Sequence, residues 1–240
     1  MHRRIRKVIC IVLIAMVLLI QPLSAYAYTN YVATIGTLTI FSCNDGGSSS
    51  WNTSGHAWIS FKNFTHPAVE FGGLNVAINS EVTIGTFGNM NQHSGIWYNL
   101  ESYAVNQMGA YSNRVSLSMN ITRAQLEEIN TIIDENDTWA LLNNCSSFAV
   151  KIWNEVSDDR LSAGSPNTPT SLCESIKSYD YYQTGRSIVY NSTSGYVSGG
   201  IFYSSNPYVA SASAIGSIDV LPVSVHNEVN DNGKKYFTIG

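Results

Sequence analysis

The chain has 240 residues, 13 Lys and Arg against 17 Asp and Glu for a net charge of −4, and four cysteines. An acidic balance repels phosphate and argues against nucleic acid as a partner. Four cysteines are too few to staple a chain of this length, which is long enough to bury a sizeable core as one domain.

At the start, Arg3, Arg4, Arg6 and Lys7 precede an unbroken apolar run from Val8 to Ile20, Gln21-Pro22 breaks it, and Ala25-Tyr26-Ala27 supplies small residues for a peptidase. That is the pattern of a signal peptide over residues 1–27 with cleavage before Tyr28. The apolar run is shorter than the roughly 20 residues that span a bilayer, and no later run is longer. A secreted or cell-surface protein with no stable membrane insertion after cleavage is therefore expected. Losing four basic residues takes the net charge from −4 to −8. Cys10 leaves too, and Cys43, Cys145 and Cys173 remain. Both a Cys43–Cys173 bridge beside a free Cys145 and three free thiols fit that count.

Tyr31 to Phe41 alternates as a strand and runs into the loop composition of Cys43 to Ser50. Short β-branched or aromatic runs follow at His56 to Phe61, Ala68 to Phe71 and Glu81 to Phe87, with breaks at Asn63 to Pro67 and Gly72-Gly73. An antiparallel meander is the simplest arrangement. Gly95 to Tyr103 and Asn113 to Met119 add further strands. Thr122-Arg123-Ala124-Gln125 has the form of a capping box, and Leu126, Ile129, Ile132 and Ile133 recur at helical spacing, predicting a helix from Arg123 to Asp134. A second helix opens at Asn144 or Cys145, with Phe148, Ala149, Ile152, Trp153 and Val156 on one face, and stops before Asp158. Ser162 to Thr170 reads as a loop and Ser171 to Ser178 as a third helix. Residues 181–240 form a Tyr/Ser/Gly-rich extension with strand runs at Ser187 to Tyr190, Tyr196 to Tyr203 and Ile218 to Val225.

Two segments carry chemistry. Asn143-Asn144-Cys145-Ser146-Ser147 puts a thiol in the first turn of a helix, where unpaired backbone N–H groups and the macrodipole favour thiolate. Gly55-His56-Ala57-Trp58 puts a histidine on a strand whose opposite face, Ala57, Ile59 and Phe61, is wholly apolar and suited to packing. A thiolate and an imidazole are the parts of a Cys/His acyl-transfer apparatus. The imidazole needs an orienting partner, for which Glu70 on the next strand is the first choice and His66, Thr86 and Asn89 the alternatives. The Cys145 N–H and the side chains of Asn143 and Asn144 are candidate oxyanion donors. His93, in a Gly/Asn/Ser-rich loop, reads as a plain surface residue. There is no His-Glu-x-x-His, Cys-x-x-Cys, Gly-x-Ser-x-Gly or phosphate-binding glycine loop, so chemistry without metal or cofactor is expected.

A strand histidine, a polar residue on the next strand, and then Asn-Cys opening a later helix resemble the circularly permuted branch of the NlpC-type papain-like superfamily. That branch includes the lecithin retinol acyltransferase group, and the likeness covers Tyr31 to Tyr179. The resemblance implies an α+β fold, an antiparallel sheet packed against helices, over residues 28–180, followed by the β-rich extension. It also implies Cys145 as nucleophile, His56 as base, Glu70 as third member, and amide bonds of cell-wall or other peptides as substrate. The competing expectation is a non-catalytic secreted binding module of the same fold, with Trp51, Trp58 and Trp97 lining a groove.

Overall fold

The computed structural model describes residues 33–45, 55–88, 90, 93–198, 201–205, 227–229 and 235–238. The expected signal peptide, Trp51, Asn89 and the Ile218 to Val225 run lie outside them.

Ten-residue β1 (Thr34–Cys43) is an inner strand of the main sheet. It pairs antiparallel with β2 (His56–Asn63), setting Ile40 opposite Ile59 and Phe41 opposite Trp58, and on its other edge with β7 (Val115–Thr122). β5 (Glu81–Phe87) and β6 (Gly95–Tyr98) extend the sheet beyond β2. The C-terminal segment supplies both ends, with β8 (Gln183–Thr184) on β7 and β9 (Ser194–Ser198) and β10 (Ile201–Ser205) beyond β6. Eight strands are thus ordered β10-β9-β6-β5-β2-β1-β7-β8, and every neighbouring pair is antiparallel.

Strand periodicity sorts the side chains into two layers. Leu38, Ile40, Ala57, Ile59, Phe61, Val82 and Ile84 project to one face. They pack with α2 (Arg123–Glu135), α3 (Cys145–Val156) and α4 (Pro169–Lys177) through Leu126, Ile129, Ile133, Phe148, Ala149, Ile152, Leu172 and Ile176. The other face carries Phe41, Cys43 and Trp58, covered by Ala104 of α1 (Leu100–Met108), Tyr111 and Ile188. The molecule is α+β, with a large antiparallel sheet against four helices among the described residues.

The α2 capping box forms as expected: Thr122 Oγ1 accepts from the Gln125 N–H, and the Gln125 side chain accepts from the Thr122 N–H. α4 starts two residues earlier than its sequence suggests, because Thr168 caps it and Pro169 occupies the first turn, where the missing N–H costs nothing.

Three expectations are corrected. The segment after Glu70 does not continue the meander. Gly72 and Gly73, at φ +59° and +83°, make a two-residue turn that folds β3 (Val69–Phe71) onto β4 (Leu74–Val76), so the hairpin pairs with itself and leaves the main sheet. It joins β12 (Lys235–Thr238) and β11 (Asn227–Val229) in a second sheet, ordered β11-β12-β4-β3. The Gly95 to Tyr103 run is a strand only to Tyr98. Asn99, in the left-handed region, turns the chain into α1, which Gly109 ends in the same region. Lastly, Ser187 to Tyr190 is not a strand. Its backbone is held by side chains instead: Asn106 Nδ2 donates to Ile188 O, the Val189 N–H to Glu81 Oε2, and Ser102 Oγ to Val189 O. This strap closes over α1 and buries Ile188 against Trp58. Among the described residues no helix is long and apolar enough to cross a membrane.

Candidate active site

Asn144 is an N-cap in extended conformation, and its Oδ1 accepts the N–H groups of Ser146 and Ser147 at 3.0 and 3.3 Å. The Phe148 N–H goes to Asn144 O. Cys145 is the first residue of α3; the cap takes the first-turn N–H groups of Ser146 and Ser147, and the N–H of Cys145 itself has no intrahelical acceptor. The buried stripe Phe148, Ala149, Ile152 and Trp153 fixes the helix against β2, β5 and β1. Cys145 itself stays partly open to solvent, whereas Cys43 and Cys173 are buried.

On the sheet, Gly55 turns the chain into β2 at φ +79°. A Cβ there would lie 2.5 Å from Cys43 O, so the close approach of β1 requires glycine. His56 follows, buried to 2% exposure among Phe87, Trp58 and Tyr111, with the Phe87 ring centroid 4.3 Å away. Its Nε2 donates to Glu101 Oε1 at 2.9 Å. The Cys145 thiol hydrogen-bonds the imidazole and also meets the backbone N–H of Ala57. With Nε2 committed to Glu101, Nδ1 is the ring nitrogen left for sulfur.

The electrostatics follow from this line of groups. Burial pushes the His56 imidazole toward neutrality. The Cys145 thiolate, the hydrogen bond to it, and the hydrogen bond and charge of Glu101 together outweigh burial, and the pKa rises to about 9. Burial likewise pushes the Cys145 thiol up, but the imidazolium, the Ala57 N–H and the Ser146 hydroxyl carry it below its ordinary value. Cys43, beside the carboxylate of Asp45, is pushed up to about 11, chiefly by burial. The site therefore separates one thiol whose ionisation its surroundings favour from two whose ionisation burial opposes.

His56 and Cys145, far apart in sequence, thus meet. Glu70 does not join them: it lies on β3 of the second sheet, where its carbonyl accepts from Asn130 Nδ2, and the neighbour β2 takes instead is β5. The place expected for Glu70 is held by Glu101 of α1, fully buried, whose other oxygen accepts from Thr83 Oγ1 at 2.8 Å. Sequence reading missed it because it placed Glu101 on a strand. An acidic residue in the first turn of a helix closed by Gly109 is the signal that was available.

Asn144 is no free donor, since its Nδ2 is spent on Leu141 O and Asn167 O at 3.2 and 2.8 Å. Asn143 braces the preceding turn through Nδ2 to Thr138 O and two backbone bonds with Ala140. That turn holds Leu141 and Leu142 out in solvent, 77% and 75% exposed, just ahead of Cys145.

Of the other candidates, His66 is exposed and Thr86 is buried on β5. His93 is more than a surface residue, because it pairs with Asp137 at 2.9 Å and stacks on Tyr196. Trp58 and Trp97 are fully buried, so neither lines a surface groove. Cys43 and Cys173 are free thiols. They sit in the two separate apolar clusters on opposite faces of the sheet, so they do not bridge.

Comparison with known protein families, characterised proteins and solved structures finds no match to this chain.

Proposed function

We propose that this chain is a secreted cysteine hydrolase of permuted NlpC-type papain-like architecture that cleaves amide bonds in cell-wall or other peptides. One observation carries the reading: a buried Glu101–His56 pair meets a partly exposed Cys145 at a helix N-terminus whose thiol is held below its ordinary pKa. A structural cysteine needs no such company, since burial alone leaves a thiol protonated, as at Cys43.

The reaction follows from these atoms. Cys145 has given its proton to His56, and its thiolate attacks the substrate carbonyl carbon. A C–S bond forms as the carbonyl electron pair moves to oxygen, where the Cys145 N–H at the positive end of α3 faces the new charge. Collapse breaks the C–N bond, and His56 passes its proton to the departing amine. Water then attacks the thioester, gives a proton to His56, and releases acid and thiolate. Glu101, bonded to Nε2, holds the ring so that Nδ1 points at sulfur in each step.

The N-terminal sequence supports export, with Tyr28 as the mature N-terminus. Edman sequencing of secreted material tests that: Tyr28 as first residue is expected, and an intact Met1 in a membrane fraction refutes it. The hydrolase reading is tested by acyl-enzyme trapping with a panel of peptide p-nitrophenyl esters. A mass adduct on Cys145, lost in Cys145→Ala, is expected. A protein that acquires no adduct from any ester while iodoacetamide alkylates Cys145 normally overturns it.

A further inference from the structure

On β5, alternate residues Thr83, Gly85 and Phe87 share the face on which Glu101 reaches His56. Thr83 is pinned to the start of α1 from both sides: its N–H donates to Asn99 Oδ1 at 3.1 Å, and its carbonyl accepts the Asn99 N–H at 2.9 Å. Its hydroxyl then holds Glu101 Oε2. Gly85 lies two residues on, and the space where its side chain would stand is filled. A methyl group there would overlap Glu101 Oε1, come within 2.9 Å of His56 Nε2, and stand 3.2 Å from Glu101 Cδ. The φ of Gly85 lies outside the left-handed region, so its backbone alone does not demand glycine. A central strand gains packing from a side chain and loses it with glycine, so glycine here marks a close approach. What approaches is the carboxylate and the imidazole.

We infer that Gly85 and Thr83 are positioning residues for the Glu101–His56 pair: the missing Cβ at 85 is the seat of Glu101 Oε1, and the Thr83 hydroxyl sets the other oxygen. The inference rests on the hydrolase reading for its purpose, though its geometry does not. It accounts for a glutamate delivered by a helix that packs on this strand, since the carboxylate must enter the sheet surface to reach Nε2. It also makes the seat sensitive to length. A shorter carboxylate at 101 withdraws by one methylene, which vacates the volume a methyl at 85 needs.

That reciprocity supplies a test which general weakening of the strand does not mimic. The full-length secreted protein is alkylated with iodoacetamide across pH 5 to 10, and Cys145 modification is followed by peptide mass spectrometry. Gly85→Ala is expected to displace the carboxylate and move the Cys145 profile upward by about one pH unit, in the direction of His56→Ala but less far. Glu101→Asp alone also moves it upward. The double variant Gly85→Ala/Glu101→Asp is expected to lie closer to wild type than Gly85→Ala does. Thr83→Val keeps the shape, removes one hydrogen bond, and is expected to move the profile upward even if Gly85→Ala does not fold. A folded Gly85→Ala or Thr83→Val whose profile superimposes on wild type overturns the inference, and so does a double variant displaced by the sum of its two parts. If His56→Ala leaves the profile unmoved, the hydrolase reading fails first. If His56→Ala moves it and the β5 variants do not, only the seat is lost.

Discussion

Replacing His56 by alanine is the most informative single change, because two shifted groups meet there. The imidazole ordinarily titrates near 6.5 and is carried to about 9 in the folded protein. A rise of that size corresponds to a coupling on the order of 3 kcal/mol in favour of imidazolium, after burial has already opposed it. The sign is fixed by the direction. Stability from His56 is fully present below about pH 6.5, the unfolded value, and is lost as pH rises through about 9. The contribution of Cys145, whose thiol is held low, is present above its unfolded value and lost as pH falls through its depressed folded one. The thiolate–imidazolium pair therefore exists between that depressed value and about pH 9. Without His56, burial acts on Cys145 unopposed by a cation and moves the thiol up toward its ordinary 9.0, a value at which about one molecule in a hundred is ionised at pH 7. Alkylation of Cys145 by iodoacetamide at pH 7 should fall by up to about a hundredfold, and the midpoint of its pH profile should move up toward 9 or beyond. Pseudo-first-order rates across pH 5 to 10, read at the Cys145 peptide, provide the measurement. Superimposable profiles for wild type and His56→Ala would mean that the imidazole does not hold the thiolate, and the proposed mechanism would fall with it.

In the unmodified protein, brief labelling should mark Cys145 before Cys43 and Cys173; equal labelling at pH 7 would refute the distinction drawn between the thiol held below its ordinary pKa and its buried neighbours. Glu101→Gln keeps a side chain of the same shape but removes the charge, so the Cys145 profile should shift upward less than in His56→Ala and turnover of any trapped ester should drop; unchanged turnover with an unchanged profile would remove Glu101 from the site. Asn144→Ala removes the cap of α3 and leaves two first-turn N–H groups unpaired, costing about 1 kcal/mol and lowering Tm by about 2–4 °C in thermal denaturation; an unaltered Tm would contradict its capping role. Leu141→Ser with Leu142→Ser should leave the alkylation profile untouched and raise KM for apolar peptide esters, because the turn flanks Cys145 without touching its charge; an unaffected KM would deny the turn a part in binding.

Much of the architecture was legible because local rules and packing agree. The Thr122 to Gln125 box, the apolar stripes of α2 and α3 and the alternation of β2 all describe side chains that meet near neighbours in sequence. The failures came where tertiary contacts override a pattern. Leu100 to Met108 has little apolar periodicity and becomes helical because Leu100 and Ala104 bury one turn apart on the sheet. Ser187 to Tyr190 has strand composition, yet its backbone is satisfied by Glu81, Ser102 and Asn106, whose positions only the folded α1 supplies. The Gly72-Gly73 turn was visible in sequence, and as a two-residue glycine pair between apolar runs it is a hairpin signal. Reading it only as a break misplaced Glu70.

The site divides in the same way. Cys145 and His56 stand out in sequence because each depends on its local setting, a helix start for one and a strand with an apolar reverse face for the other. The third member has no such mark. A meander places the next polar strand residue beside a strand histidine, which is why Glu70 was the natural choice. The sheet instead puts β5 there, and beside the His56 ring β5 offers a glycine, Gly85, which contributes nothing itself and so admits a side chain from another layer. Glu101 comes from the helix that covers that face, forty-five residues from His56. A gap in one element and a carboxylate in another are complementary only once α1 has packed on β5. The Glu101–His56 pairing is therefore a property of the layer contact, and the residue that makes it legible is Gly85: a glycine in a buried central strand, with no turn or bulge to explain it, asks what occupies its missing side chain.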